Sequence, residues 1–131
     1  MRTAQSAESQ VPARPYSPAV IHDVWVHLAG HVPVDRDGRT SGTSAGEQAR
    51  VVLQNIRHTL SAAEADMGNV VSTTVYLTDI HDIDAIDAID AAYREAFAEP
   101  YPARTTVQIA ALGRPEFLVE ISAVAMLPTS P

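Results

Sequence analysis

Neither cysteine nor lysine occurs among the 131 residues. Without cysteine there is no disulfide framework, no thiolate nucleophile and no zinc cluster built on sulfur. Without lysine there is no Schiff base, either with pyridoxal phosphate or directly with a carbonyl substrate. Positive charge is scarce: nine arginines stand against 16 acidic residues, for a formal net charge of −7. A chain so balanced repels phosphate backbones, and no basic, aromatic-rich strip interrupts the pattern, so a nucleic-acid partner is not expected. No apolar run approaches the roughly 20 residues of a membrane span, and the polar start from Met1 to Gln10 lacks the apolar core of a signal peptide. A cytoplasmic protein with no membrane partner is the expectation.

What is present fits one compact domain. Hydrophobic residues make up 46% of the chain and charged residues 19%, too few charges for general disorder. Residues 1–14, rich in Ser, Ala and Gln and closed by prolines, read as a flexible leader, leaving 15–131 as the domain. Val24, Val26 and Leu28 alternate with Trp25 and His27 as in a half-buried strand, which Gly30 is expected to end. The stretch from Val34 to Gly46 carries the Asp, Gly, Ser and Thr of a long loop. Over 47–65, Ala49, Leu53, Ile56, Leu60 and Ala63 recur at helical spacing, with Thr43 or Ser44 as the cap. Val70 to Leu77 is rich in β-branched residues and reads as a strand. Ile83, Ile86, Ile89, Tyr93 and Phe97 stripe a second helix, capped by Asp82. Its Ile-Asp-Ala runs are too short to be a structural repeat.

Two further strands follow, one through Arg104-Thr105-Thr106-Val107 and one through Val119-Glu120-Ile121. Strand alternation sets Arg104, Thr106 and Gln108 against Thr105, Val107 and Ile109, and sets Glu120 against Val119 and Ile121. The reading is that Arg104 and Glu120 both lie off the core face, on neighbouring strands. They are then either a cross-strand ion pair or a site that joins a cation for an anionic ligand to a carboxylate for water. Two amphipathic helices cover one face of the sheet, an α+β arrangement. The other face, with Ser72, Thr74, Thr106, Gln108, Ser122, Val124 and Met126, suits a subunit interface. The five histidines show no metal-ligand spacing and read as surface or interface residues, and Trp25 reads as packing at a subunit contact.

Five ordered pieces carry a family resemblance. They are Pro15-Tyr16-Ser17, Ala29-Gly30-His31-Val32-Pro33-Val34-Asp35, Thr73-Thr74-Val75-Tyr76-Leu77-Thr78-Asp79, Pro102-Ala103-Arg104 and Val119-Glu120-Ile121. From Tyr16 to Met126 the chain resembles the RidA family, also called YjgF/YER057c/UK114. The resemblance implies a chorismate-mutase-like α+β fold, a mixed sheet with two helices on one face, and a homotrimer with clefts between subunits. It implies deamination of reactive 2-enamine and 2-imine carboxylic acids, such as 2-aminoacrylate, with no metal or organic cofactor.

By the same resemblance Arg104 binds the substrate carboxylate, Glu120 positions water and Tyr16 lines the cleft, the three forming the catalytic set. Gly30 and Thr106 present backbone groups to the ligand. Three departures bear on the substrate. Thr106 stands where Cys or Ser is common, His31 replaces the Gln of a Ser-Gly-Gln triplet, and Asp90 falls where Asn is usual. Gly30, His31, Asp90 and Thr106 are therefore the expected binding residues. The alternatives are a non-enzymatic carboxylate-binding or regulatory trimer and a specialised pathway hydrolase on a larger substrate. The ribonuclease activity attributed to some relatives is the reading that charge opposes.

Overall fold

The computed structural model describes residues 1–9 and 11–128. Six strands form one sheet: β1 (Arg2–Ala4), β2 (Ala19–His22), β3 (Trp25–His31), β4 (Val70–Leu77), β5 (Ala103–Gln108) and β6 (Val119–Met126). Their order across the sheet is β1-β2-β3-β6-β4-β5. Only β4 and β5 are parallel, because helix α2 (Ile83–Ala96) crosses between them; every other pair is antiparallel. Helix α1 (Ala45–Ala62) packs beside α2 on the same face. This mixed α+β sheet with two helices on one face is the expected architecture.

The helices begin where their caps dictate. The Glu47 amide donates to Ser44 Oγ at 3.2 Å, and the Ala85 amide donates to Asp82 Oδ1 at 3.1 Å. Ala49, Val52, Leu53, Ile56 and Leu60 of α1, with Ile89, Ala92 and Tyr93 of α2, bury against Val26, Leu28, Val75, Leu77, Val119, Ile121 and Ala123. Ile83, expected in the apolar stripe of α2, is 65% exposed, because the first turn projects beyond the sheet it would cover. Buried Gln48 ties the loop before β6 to α1: its Nε2 donates to Gly42 O and Glu116 O, and its Oε1 accepts from the Leu118 amide at 2.8 Å. That clamp fixes the entry of the strand carrying Glu120.

Three expectations are corrected. Part of the segment read as a flexible leader is β1, an edge strand paired with β2, whose Ala4 joins the core. Gly30 does not end its strand. A register shift between Leu28 and His31 inserts an extra residue, and the strand continues to His31.

The third concerns Arg104 and Glu120. Arg104, Thr106 and Gln108 pair in register with Thr73, Val75 and Leu77, and registered neighbours share a face. Thr73, Val75 and Leu77 are buried beneath the helices, so Arg104, Thr106 and Gln108 belong to the helix face. Glu120 pairs with Tyr76 on the open face, and β4 separates its strand from that of Arg104. Alternation grouped each strand correctly within itself. It does not say which group meets the core on an edge strand whose residues are all polar or half-exposed. The open face therefore carries Ser72, Thr74, Tyr76, Glu120, Ser122, Val124 and Met126 with Thr105 and Val107, and not Thr106 or Gln108.

Candidate functional site

Two cavities, on opposite sides of the sheet, hold Arg104 with Asp90 and Glu120 with Tyr16 and Gly30. The first, of about 250 Å³, is lined by Asp90, Tyr93, Arg94, Tyr101, Pro102 and Arg104. The parallel β4–α2–β5 unit builds it by laying the third turn of α2 beside the start of β5. Arg104 Nη2 donates to Asp90 Oδ1 at 2.7 Å, and the guanidinium carbon lies 4.8 Å from the Tyr93 ring centroid. Flat stacking on an aromatic face holds a guanidinium while leaving its in-plane donors available. Arg104 Nε and Nη1 have no partner among the described residues. Tyr93 is itself anchored by a 2.8 Å hydrogen bond between its hydroxyl and that of Thr73, and burial pushes its phenol up from the ordinary value.

The second cavity, of about 530 Å³, is lined by Tyr16, Gly30, Arg114, Phe117 and Glu120 among others. Here the absence of a side chain matters. A Cβ built on Gly30 would lie 2.2 Å from Glu120 Oε2, so only glycine lets the carboxylate rest against the backbone of β3. Glu120 is half-buried, and its carboxyl has no hydrogen-bond or ionic partner among the described residues. Desolvation raises its pKa from the ordinary 4.5. A carboxylate so placed is a ready acceptor for water and a better base than an exposed one. Tyr16, 56% exposed, stands at the mouth.

His31, largely buried, lines a small cavity of about 70 Å³ together with Tyr16, Gly30 and Thr59. It is 8% exposed and turned towards α1 by the register shift in β3. Its Nδ1 lies 2.7 Å from Ala29 O and its Nε2 lies 2.8 Å from Thr59 Oγ1. A carbonyl only accepts, so Nδ1 carries the proton and Nε2 accepts from the Thr59 hydroxyl. Burial lowers the His31 pKa from 6.5, which keeps the ring neutral. Thr106 shares the face of Arg104 and lines none of these cavities.

One protomer thus brings together Arg104 with Asp90, and Tyr16 with Gly30 and Glu120, but not the two groups with each other. Two residues escaped the sequence reading. Tyr93 was visible only as part of an apolar stripe, although its hydroxyl and its spacing of three from Asp90 on a helix were available signals. Arg114, in the Leu112-Gly113-Arg114-Pro115 connection, stacks 5.3 Å from the Phe117 centroid and donates to Thr40 Oγ1 at 3.1 Å, adding a cation to the Glu120 cavity. Among the described residues, no three His, Asp or Glu side chains converge to hold a metal ion, and no helix is long and apolar enough to cross a membrane.

Comparisons with known proteins agree with this architecture. The family model described as Endoribonuclease L-PSP matches residues 7–127. The human 2-iminobutanoate/2-iminopropanoate deaminase is 35% identical over 126 residues, spanning 95% of this chain and 89% of that protein. The crystal structure of RidA from the Antarctic bacterium Psychrobacter sp. matches with a TM-score of 0.88 at 29% identity, covering 97% of this chain and 100% of that one. The structure of E. coli TdcF with bound serine matches with a TM-score of 0.85 at 27% identity, covering 98% and 100%.

Proposed function

This chain belongs to the RidA family, to which the Endoribonuclease L-PSP model also assigns it, and on that premise we propose that it hydrolyses 2-imino and 2-enamine carboxylic acids to 2-keto acids and ammonia. The observation that carries the reading is Glu120: an unpaired, half-buried carboxyl laid against the Gly30 backbone, with its basicity raised by desolvation. The relative named as an imine deaminase supports the reaction class. The serine held by the TdcF structure supports a small carboxylate ligand with nitrogen on the adjacent carbon.

In this reading Arg104 binds the carboxylate through its free donors, fixing the adjacent imine carbon. Glu120 orients a water and accepts its proton as the oxygen attacks that carbon. The proton returns to nitrogen, the new hydroxyl gives its remaining proton to Glu120 as the C–N bond breaks, and the departing ammonia takes up that proton to leave as ammonium, so the carbonyl oxygen derives from water. Tyr16 closes the mouth, and the Gly30 backbone borders the ligand. None of these steps invokes a metal or organic cofactor. Arg104 and Glu120 occupy opposite sides of one protomer, so the reading requires a homotrimer in which the Arg104 half of one protomer faces the Glu120 half of the next.

The test generates 2-aminoacrylate with a serine dehydratase and follows pyruvate formation. Wild type is expected to accelerate hydrolysis, and Arg104→Ala and Glu120→Ala to fall to the uncatalysed background. The acid limb of kcat/KM should lie above pH 4.5, because the base must lose a proton that burial makes it hold more tightly. No acceleration by wild type refutes the deaminase. Full activity in both variants refutes the site.

A further inference from the structure

Asp90 occupies one prong of the group read as the carboxylate anchor, and its own second oxygen is unengaged. Asp90 Oδ1 accepts from Arg104 Nη2 at 2.7 Å, while Oδ2 has no partner among the described residues. The two side chains are only 28% and 30% exposed and form one wall of the 250 Å³ cavity. This is therefore a partly desolvated pair at a cavity wall rather than two long side chains meeting in water. Any ligand carboxylate that takes Arg104 bidentately must use or border the prong held by Asp90, and so meets a like charge at close range.

That charge is repulsive only if the ligand brings nothing positive. A protonated imine or an α-amino acid carries a cationic nitrogen one carbon away from its carboxylate. Such a zwitterion sets its carboxylate against Arg104 and its nitrogen against the free Asp90 oxygen, so each of its charges meets an opposite one in a cavity that Arg94 also lines. A 2-keto acid offers only the negative half. We infer that Asp90 is a specificity-determining residue that makes the Arg104 cavity select zwitterionic imino and amino acids over 2-keto acids. The inference rests on the reading of Arg104 as carboxylate anchor and adds to it the charge class of the ligand.

The same geometry gives product release a direction. Hydrolysis converts the zwitterion R–C(=NH2+)–COO− and water into R–CO–COO− and NH4+, which conserves atoms and charge. The nitrogen leaves as ammonium, so the keto acid left on Arg104 has lost the partner of Asp90. Asp90, still held on Arg104 through Oδ1, then faces the keto-acid carboxylate as an uncompensated like charge and favours its departure.

The test measures binding of L-serine and of 2-oxobutanoate, by calorimetry or NMR titration, to wild type, Asp90→Asn and Arg104→Ala. Asparagine keeps the shape of the side chain and removes its charge. Wild type is expected to prefer serine, and Asp90→Asn to bind 2-oxobutanoate about tenfold more tightly and serine about tenfold more weakly. Product inhibition by 2-oxobutanoate should strengthen in the same variant. An unchanged serine-to-keto-acid ratio in Asp90→Asn, with both ligands lost in Arg104→Ala, overturns this inference and leaves the anchor standing. Retention of both ligands by Arg104→Ala overturns the anchor itself, and this inference with it.

Discussion

His31 shows what one residue can and cannot disclose in a sequence. Its place in the Ala29-Gly30-His31 piece puts it in the binding set, and the fold holds its ring between Ala29 O and the Thr59 hydroxyl, at the wall of a small cavity shared with Tyr16 and Gly30. The register shift after Leu28 turned it inward, and no pattern in the sequence marks that shift except Gly30 itself. Gly30 was correctly singled out, and the structure supplies the reason in the Glu120 carboxyl that fills the place of its missing Cβ. A pH dependence follows from His31. Burial lowers its pKa in the folded state below 6.5, so the unfolded chain takes up a proton first as pH falls. The stability this group contributes is fully present above pH 6.5 and is lost as pH falls through the folded value, at no more than about 1.4 kcal/mol per pH unit. His31→Leu leaves the Thr59 hydroxyl without its acceptor and is expected to cost about 1–3 kcal/mol at pH 8. The same variant should lose the part of the acid destabilisation that His31 causes. Urea denaturation of both proteins between pH 5 and pH 8 measures the two effects together, and parallel curves would refute the assignment.

At the scale of elements, periodicity located both helices and the four strands β3 to β6 closely, because each carries a buried stripe or alternation strong enough to read. It did not order the strands. β6 inserts between β3 and β4, so β5 and β6, consecutive in the chain, are not neighbours. The β4–α2–β5 crossover sets β5 parallel beside β4, a tertiary pairing with no local signature. How tightly the two helices pack was equally hidden. Gly46, in the first turn of α1, faces α2 so closely that a Cβ on it would lie 2.7 Å from Ala88 Cβ. Replacing an exposed helical glycine by alanine gains up to about 1 kcal/mol of helix propensity. Overpacking a close contact costs about 1–3 kcal/mol, so contact outweighs propensity here. Gly46→Ala is therefore expected to destabilise, and adding Ala88→Gly should recover much of the loss. A double-mutant cycle by chemical denaturation reads the coupling, and additive effects would show that the helices do not meet there.

For the whole molecule, the proposed reaction calls for residues from more than one chain. Arg104 lies on the helix face at one edge of the sheet and Glu120 on the open face beyond β4, so a single protomer does not bring both to one ligand. The open face, with Trp25 40% exposed and Tyr76, Val124 and Met126 half-buried, is the apolar surface available for assembly. The sequence reading reached an interface by way of the mixed composition of this face. It could not see that the two charged residues lie on opposite faces of the sheet, since strand parity alone put them together. A cyclic homotrimer repeats one heterologous contact three times, so an Arg104 half can meet a Glu120 half at every interface. Co-expressing Arg104→Ala and Glu120→Ala subunits tests this directly, each being inactive alone. In randomly mixed trimers an intact site forms wherever the Glu120→Ala subunit supplies Arg104 and the Arg104→Ala subunit supplies Glu120. Every cyclic trimer that contains both kinds of subunit has one such interface in three, so about a third of wild-type deaminase activity should return in the mixed species. Differentially tagged subunits purified as a mixed species, sized by light scattering and assayed with 2-aminoacrylate, provide the measurement. Mixed trimers that stay inactive would place both halves of the site in one protomer, against the strand register described here.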